Sequence, residues 1–212
     1  MKKNLAACFF SILSVSFLLA NTCLADEGVK AAIIAPAQEA TEKCESRWLQ
    51  GIELLTGFSK ANLKNSQAYS TVPIIFDFDF DLNPLVKKIG INHWGLLQFQ
   101  LEPSISPVFE PNANVEFGTG FILKVGILPD TSKFQPYIKG GPGLLYTTQH
   151  TREQGTQFNF FEYVGVGAHY FFTKNTALTI EGRYRHFSNC GIEDPNSGIN
   201  SYFALVGLAY QY

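Results

Sequence analysis

The fold this 212-residue sequence predicts is all-β, an eight-stranded antiparallel transmembrane β-barrel, and three observations predict it. Apolar and polar residues alternate with period two in segment after segment. Behind the N-terminal leader, no apolar run reaches the roughly 20 residues of a membrane-spanning helix. The chain ends on an alternating strand, with Tyr202, Ala204, Val206, Leu208, Tyr210 and Tyr212 on one face. That ending resembles the C-terminal signal read by the bacterial outer-membrane assembly machinery, whereas the edge strand of a soluble sandwich is the plainer alternative.

The leader comes first. Lys2 and Lys3, an apolar run from Leu5 to Leu19, and Cys23-Leu24-Ala25 ahead of Asp26 make a bacterial signal peptide over residues 1–25. Asn21 and Thr22 do not suit Cys23 as a lipoprotein acylation site. Residues 26–46 are Ala-rich and weakly patterned, and read as a periplasmic tail. The remaining chain, from 47 to 212, is of a size for one domain. A formal charge of −2 argues against nucleic acid as a partner. Nineteen Phe and nine Tyr, with only 16% charged residues, suit a surface that meets something other than water.

The strands are expected at about Arg47–Phe58, Tyr69–Leu82, Trp94–Pro103, Asn114–Leu128, Gln135–Thr147, Gln157–Phe172, Thr176–Phe187 and Ser201–Tyr212. The second is the clearest. Val72, Ile74, Phe76, Phe78, Phe80 and Leu82 share one face, and Asp77, Asp79 and Asp81 the other. In a bilayer the first face meets lipid and the second lines the lumen. The aspartates read as a polar ladder toward Lys124, Arg183 or Arg185, and no cluster has the spacing of a metal site. Glycines at 118, 120, 126, 140, 141, 143, 165 and 167 suit close packing in a small closed barrel. Such a barrel fills its own interior, which disfavours a pore.

Counting strands from a periplasmic N-terminus sets sidedness. Ser59–Ala68 and Ser188–Asn200 fall outside, and Asn83–His93, Pro129–Lys133 and Thr173–Asn175 fall on the periplasmic side. Cys44 and Cys190 then lie across a membrane about 25 Å thick, too far apart for the Cα separation of under about 7 Å that a disulfide needs. No bridge is expected between them.

The seventh strand carries the chemistry. Leu178, Ile180, Gly182, Tyr184, His186 and Ser188 share one face, and Thr179, Glu181, Arg183 and Arg185 the other. The charged face must be the lumen, so His186 and Ser188 point outward near the outer rim. An imidazole and a hydroxyl two residues apart are a base and a nucleophile. Asn189 and the Gly191 amide are candidate oxyanion donors. A polar pair on a lipid-facing surface is costly unless it anchors at the interface or has a purpose. His93, His150 and His169 lack such a neighbour and read as structural or loop residues.

His186-Phe187-Ser188-Asn189, Gly191, and Asn196-Ser197-Gly198-Ile199-Asn200-Ser201 resemble the signature of the lipid A 3-O-deacylase family of outer-membrane barrels. The motif covers about the last 30 residues, and the leader and strand count extend the likeness over the chain. The resemblance implies hydrolysis of the ester-linked 3-position acyl chain of lipid A, with no cofactor and no metal. It implies lipopolysaccharide and outer-membrane lipids as partners, and leaves a homodimer open. It implies Ser188 as nucleophile, His186 as general base, and Asn189 with nearby amides, such as that of Gly191, as the oxyanion hole. The family's third residue, a Glu, falls at Asn200, which can orient an imidazole but supplies no charge. Glu193 and Asp194 are nearby carboxylates at unmatched positions. The alternative is a structural or adhesive barrel in which Asn200 leaves the site silent.

Overall fold

A computed structural model describes residues 48–64 and 67–212. The expected leader and tail lie outside them. The chain runs through β1 (Leu49–Asn62), β2 (Ala68–Thr71), β3 (Ile74–Asp81), a short helix α1 (Asn83–Lys88), β4 (Gly95–Glu110), β5 (Asn114–Pro129), β6 (Phe134–Thr147), β7 (Phe158–Phe171), β8 (Thr176–Ser188) and β9 (Ile199–Gln211). All neighbours are antiparallel, and β1 pairs with β9 from Gly51↔Gln211 to Ala61↔Ser201, which closes the sheet. Closure leaves no open edge of unsatisfied backbone groups. Because β2 and β3 both lie between β1 and β4, they form one interrupted stave, and the barrel has eight staves.

The interruption corrects the expectation of one continuous second strand. Pro73 has no N–H for a ladder bond, and Val72 N–H turns instead to Pro107 O at 3.0 Å. The same irregularity explains why β4 does not stop at Pro103. Pairing of β3 with β4 jumps from Ile75↔Ser104 to Phe78↔Leu101, so Pro103 falls where no regular ladder partner awaits its missing donor. On its other side β4 pairs regularly with β5 from Leu97↔Val125 to Val108↔Asn114 and carries the strand on to Glu110. The first strand likewise runs on beyond Phe58, to Asn62.

The alternation sorts side chains as the sequence predicts. Phe76 is 47% exposed on the outer face, while Asp77 and Asp79 on the inner face are 1% and 2% exposed. Tyr202, Val206, Leu208 and Tyr210 are exposed along β9. Inside, Lys124 reaches Glu53 at 3.3 Å and Asp79 at 3.9 Å. Lys139 joins Asp77, Glu102 and Glu181 at 3.1, 3.3 and 3.2 Å. Arg183 binds Glu102 and Glu181, and Arg185 binds Glu116. The aspartate ladder therefore finds Lys124 as expected, and Lys139 rather than Arg183 or Arg185. Above this ionic layer, Tyr69, Val108, Ile122, Leu145, Phe161, Phe187 and Ile199 form an apolar layer beneath the longer loops. A lumen filled in these two layers is a packed core.

Candidate active site

His186 and Ser188 emerge at the loop rim of β8, on its outward face, because each inward neighbour is committed to the lumen. Arg185 is held by Glu116 at 3.1 Å and Phe187 is buried in the apolar layer. The ladder sets Asn200 of β9 directly opposite His186. Their side chains meet, with His186 Nδ1 and Asn200 Oδ1 2.6 Å apart. An amide oxygen only accepts, so Nδ1 carries the proton and Nε2 keeps its lone pair. In that tautomer the ring is a base on the side away from Asn200.

The ring also rests against the backbone. Gly198 adopts φ +70°, and a Cβ there would come within 2.4 Å of His186 Cε1 and 3.0 Å of Nε2. Asn200 thus fixes the imidazole at one nitrogen and Gly198 fixes it across one face. Ser188 stands two residues further along the same face, opposite Phe160. Its Oγ takes no hydrogen-bond partner among the described residues, so His186 and Ser188 share one face without a hydrogen bond between them.

The loop after β8 is built around Asn189, which is fully buried. Its Nδ2 donates to the carbonyls of Glu193 at 2.7 Å and Pro195 at 3.3 Å, and its Oδ1 accepts from Gly191 N–H at 2.9 Å. The Asn189 N–H is shared between Gln154 Oε1 and Asn196 Oδ1, each at 3.0 Å. Both candidate oxyanion donors are therefore committed within the loop. Gln154, on the loop between β7 and its predecessor, also bridges to Asn196 along the backbone. Ser197 N–H donates to Glu153 O at 2.8 Å, and Lys64 Nζ to Ser197 Oγ. Gln154 is passed over in the sequence, and Asn196 and Gly198 stand in the motif without a role; all three contact the candidate site residues. Their roles depend on contacts between loops, which period and parity do not report.

Cys190, at φ +54°, is disulfide-bonded, with its partner outside the described residues. The expectation of no bridge is corrected at this end. Glu193 and Asp194 are exposed in the loop, and neither carboxylate is the partner of His186 Nδ1.

A different acidic residue stands beside His186 in the sheet. Across the β7–β8 ladder the residue directly opposite His186 is Glu162, exposed on the outer face. Parity along β7 signals its outward direction in the sequence, but only the register brings it to His186.

A family model described as lipid A 3-O-deacylase (PagL) matches residues 87–209, more than half of the chain. The lipid A deacylase PagL of Bordetella bronchiseptica is 34% identical over 79 residues, a stretch that is 36% of this chain and 40% of that protein. The match thus spans less than half of that relative. Among solved structures, the outer-membrane enzyme PagL superposes with a TM-score of 0.52 at 16% identity, covering 74% of this chain and 97% of that one. Neisserial surface protein A superposes with a TM-score of 0.55 at 15% identity, covering 76% and 96%. At these identities the two likenesses establish the barrel fold.

Proposed function

The chain belongs to the lipid A 3-O-deacylase (PagL) family, and from that premise we propose that it is an outer-membrane esterase that removes the ester-linked 3-position acyl chain of lipid A. The observation that carries this reading is the His186–Asn200 pair at 2.6 Å on the outward face, with Ser188 beside it. A site on that face opens to lipid and not to the lumen. Its substrate arrives laterally through the outer leaflet.

Ser188 Oγ attacks the ester carbonyl while His186 Nε2 takes its proton. The tetrahedral intermediate then expels the sugar oxygen, which His186 protonates. The acyl chain stays on Ser188 until water, activated by the same imidazole, hydrolyses that ester. Gly191 is the more accessible of the two oxyanion donors, since its N–H has one internal bond to exchange for the developing oxyanion. Asn189, held by two carbonyls, serves that donor by keeping the loop in shape. Asn200 orients the ring through Nδ1 and adds no charge.

The test is incubation of membranes containing the full chain with lipid A, followed by mass spectrometry for loss of one hydroxyacyl chain. Wild type removes the chain and Ser188→Ala does not. Retention of the chain by wild type supports the silent structural barrel instead, and loss unchanged in Ser188→Ala sinks the mechanism.

A further inference from the structure

We propose that Glu162 supplies the negative charge that Asn200 cannot, acting through the field at His186 as a positioning residue of the hydrolysis. The inference rests on the deacylase reading above. Three observations carry it. Glu162 is the one carboxylate that the strand alternation turns outward among the described residues, since Glu53, Asp77, Asp79, Glu102, Glu116 and Glu181 all face the lumen. A carboxylate on that face is costly in a membrane and calls for a use. The register sets it directly opposite His186, where paired Cβ atoms lie about 4.5–5.5 Å apart. Finally, Glu162 has no hydrogen-bond or ion-pair partner among the described residues, so its charge is uncommitted.

The groups around the imidazole show what this charge adds. From β9 comes neutral Asn200, and the loop ahead of it adds Gly198. On β8 itself are Ser188 and Tyr184, whose ring lies 5.2 Å from that of Tyr202. The outward cations on this side are Lys60, opposite Tyr202 on β1 and two strands from His186, and Lys64, whose Nζ donates to Ser197 Oγ in the loop beside Gly198. Arg185 faces inward and is neutralised by Glu116. From β7, Glu162 alone carries charge beside the ring. When Nε2 takes the Ser188 proton, the imidazolium forms next to that carboxylate in a poorly screening environment. The position at which the family resemblance puts a carboxylate is on β9, opposite His186, and this chain carries its acidic residue on the other neighbouring strand, β7.

The experiment is a charge series at one position, Glu162→Asp, Glu162→Gln and Glu162→Lys, in the full-length protein in lipid. Each barrel is first checked for heat-modifiable gel mobility, and kcat for lipid A deacylation is then followed against pH. Removing a negative charge lowers the ring's proton affinity, so the rising, base-dependent limb of the profile moves toward lower pH. Glu162→Gln shifts it by about one pH unit and lowers plateau kcat about tenfold. Glu162→Lys shifts it further, and Glu162→Asp leaves it in place. If the limb does not move through the series, or if Asp is as damaging as Gln, Glu162 acts by shape and the proposal is overturned. A change in KM with an unmoved limb makes it a substrate contact and overturns it equally. An inactive wild type overturns the deacylase reading and this proposal together, whereas an active wild type with an unmoved limb overturns this proposal alone.

Discussion

Two histidines of this barrel sit on neighbouring strands and face opposite ways. His169 on β7 points inward, is 1% exposed, and has both ring nitrogens engaged, Nδ1 by Thr179 Oγ1 at 2.9 Å and Nε2 by Lys124 at 3.1 Å. His186 on β8 points outward and has one nitrogen engaged, by Asn200. A ring held at both nitrogens is a structural link. One held at a single nitrogen keeps a lone pair for a proton. The same contrast runs through the two faces. Lumen carboxylates, lysines and arginines are tied together by ion pairs, whereas on the outward face Ser188 and Glu162 take no hydrogen-bond or ion-pair partner among the described residues.

The sharpest way to break that contrast is to remove each ring in turn. His186→Ala is expected to lower kcat for lipid A deacylation about 10⁴–10⁶-fold, the scale on which loss of a triad base matters. Its barrel should keep its heat-modifiable mobility. His169→Ala should do the opposite, leaving the rate within a few fold and destabilising the barrel by about 1–3 kcal/mol as Lys124 and Thr179 lose a partner. Denaturant titration beside the lipid assay checks both. A large rate loss from the inner histidine with an undamaged barrel would erase the distinction.

Within the lumen, Lys139 is the residue whose loss should matter most to stability. It is the common partner of Asp77, Glu102 and Glu181, and it is buried. Lys139→Met leaves buried charge uncompensated, at a cost of about 3–5 kcal/mol. The expected result is a lower unfolding midpoint, with deacylation in the surviving folded fraction unaltered.

Much of this contrast is legible in the sequence, and the reason is local. Parity along a strand is a property of adjacent residues, so the aspartates of β3 and the arginines of β8 declare their face without knowledge of any neighbour. The same parity places His186 and Ser188 outside, and the closing strand announces itself by its aromatic alternation. Register is not local. Nothing within β7 says that Glu162 stands opposite His186, because that pairing is set by turn lengths and by closure of the whole sheet. The break at Val72-Pro73 and the extension of β4 through Pro103 and Pro107 are likewise decided jointly by facing strands. Loop-to-loop bonds such as Gln154 to Asn189 join residues 35 apart in sequence, with no periodic signal to mark them.

Asn200 allows the outer region to be sharpened. An Asp at this position keeps a short side chain opposite His186 and accepts the hydrogen bond from Nδ1–H as a carboxylate. Asn200→Asp is expected to raise kcat about ten- to a hundredfold, part of the factor by which a triad carboxylate exceeds its amide. Measured at a pH where the base is deprotonated, no gain would mean that ring charge is already balanced from the Glu162 side.

The smallest effect is expected at Gly198, and it tests whether ring placement matters separately from ring charge. A methyl group here meets His186 Cε1 at 2.4 Å, and the residue sits at φ +70°, where an L side chain is strained. Gly198→Ala therefore has two costs. The backbone cost is about 1–2 kcal/mol, read in the unfolding midpoint. The contact cost falls on the imidazole, which must swing away from Gly198 and lengthen its 2.6 Å bond to Asn200. A small displacement of a general base lowers the chemical step but leaves substrate binding alone, so kcat should fall about tenfold at unchanged KM. The two costs separate by measurement. A lower midpoint with full kcat would show that the ring tolerates the methyl group, and that Asn200 alone, not Gly198, holds the base in place.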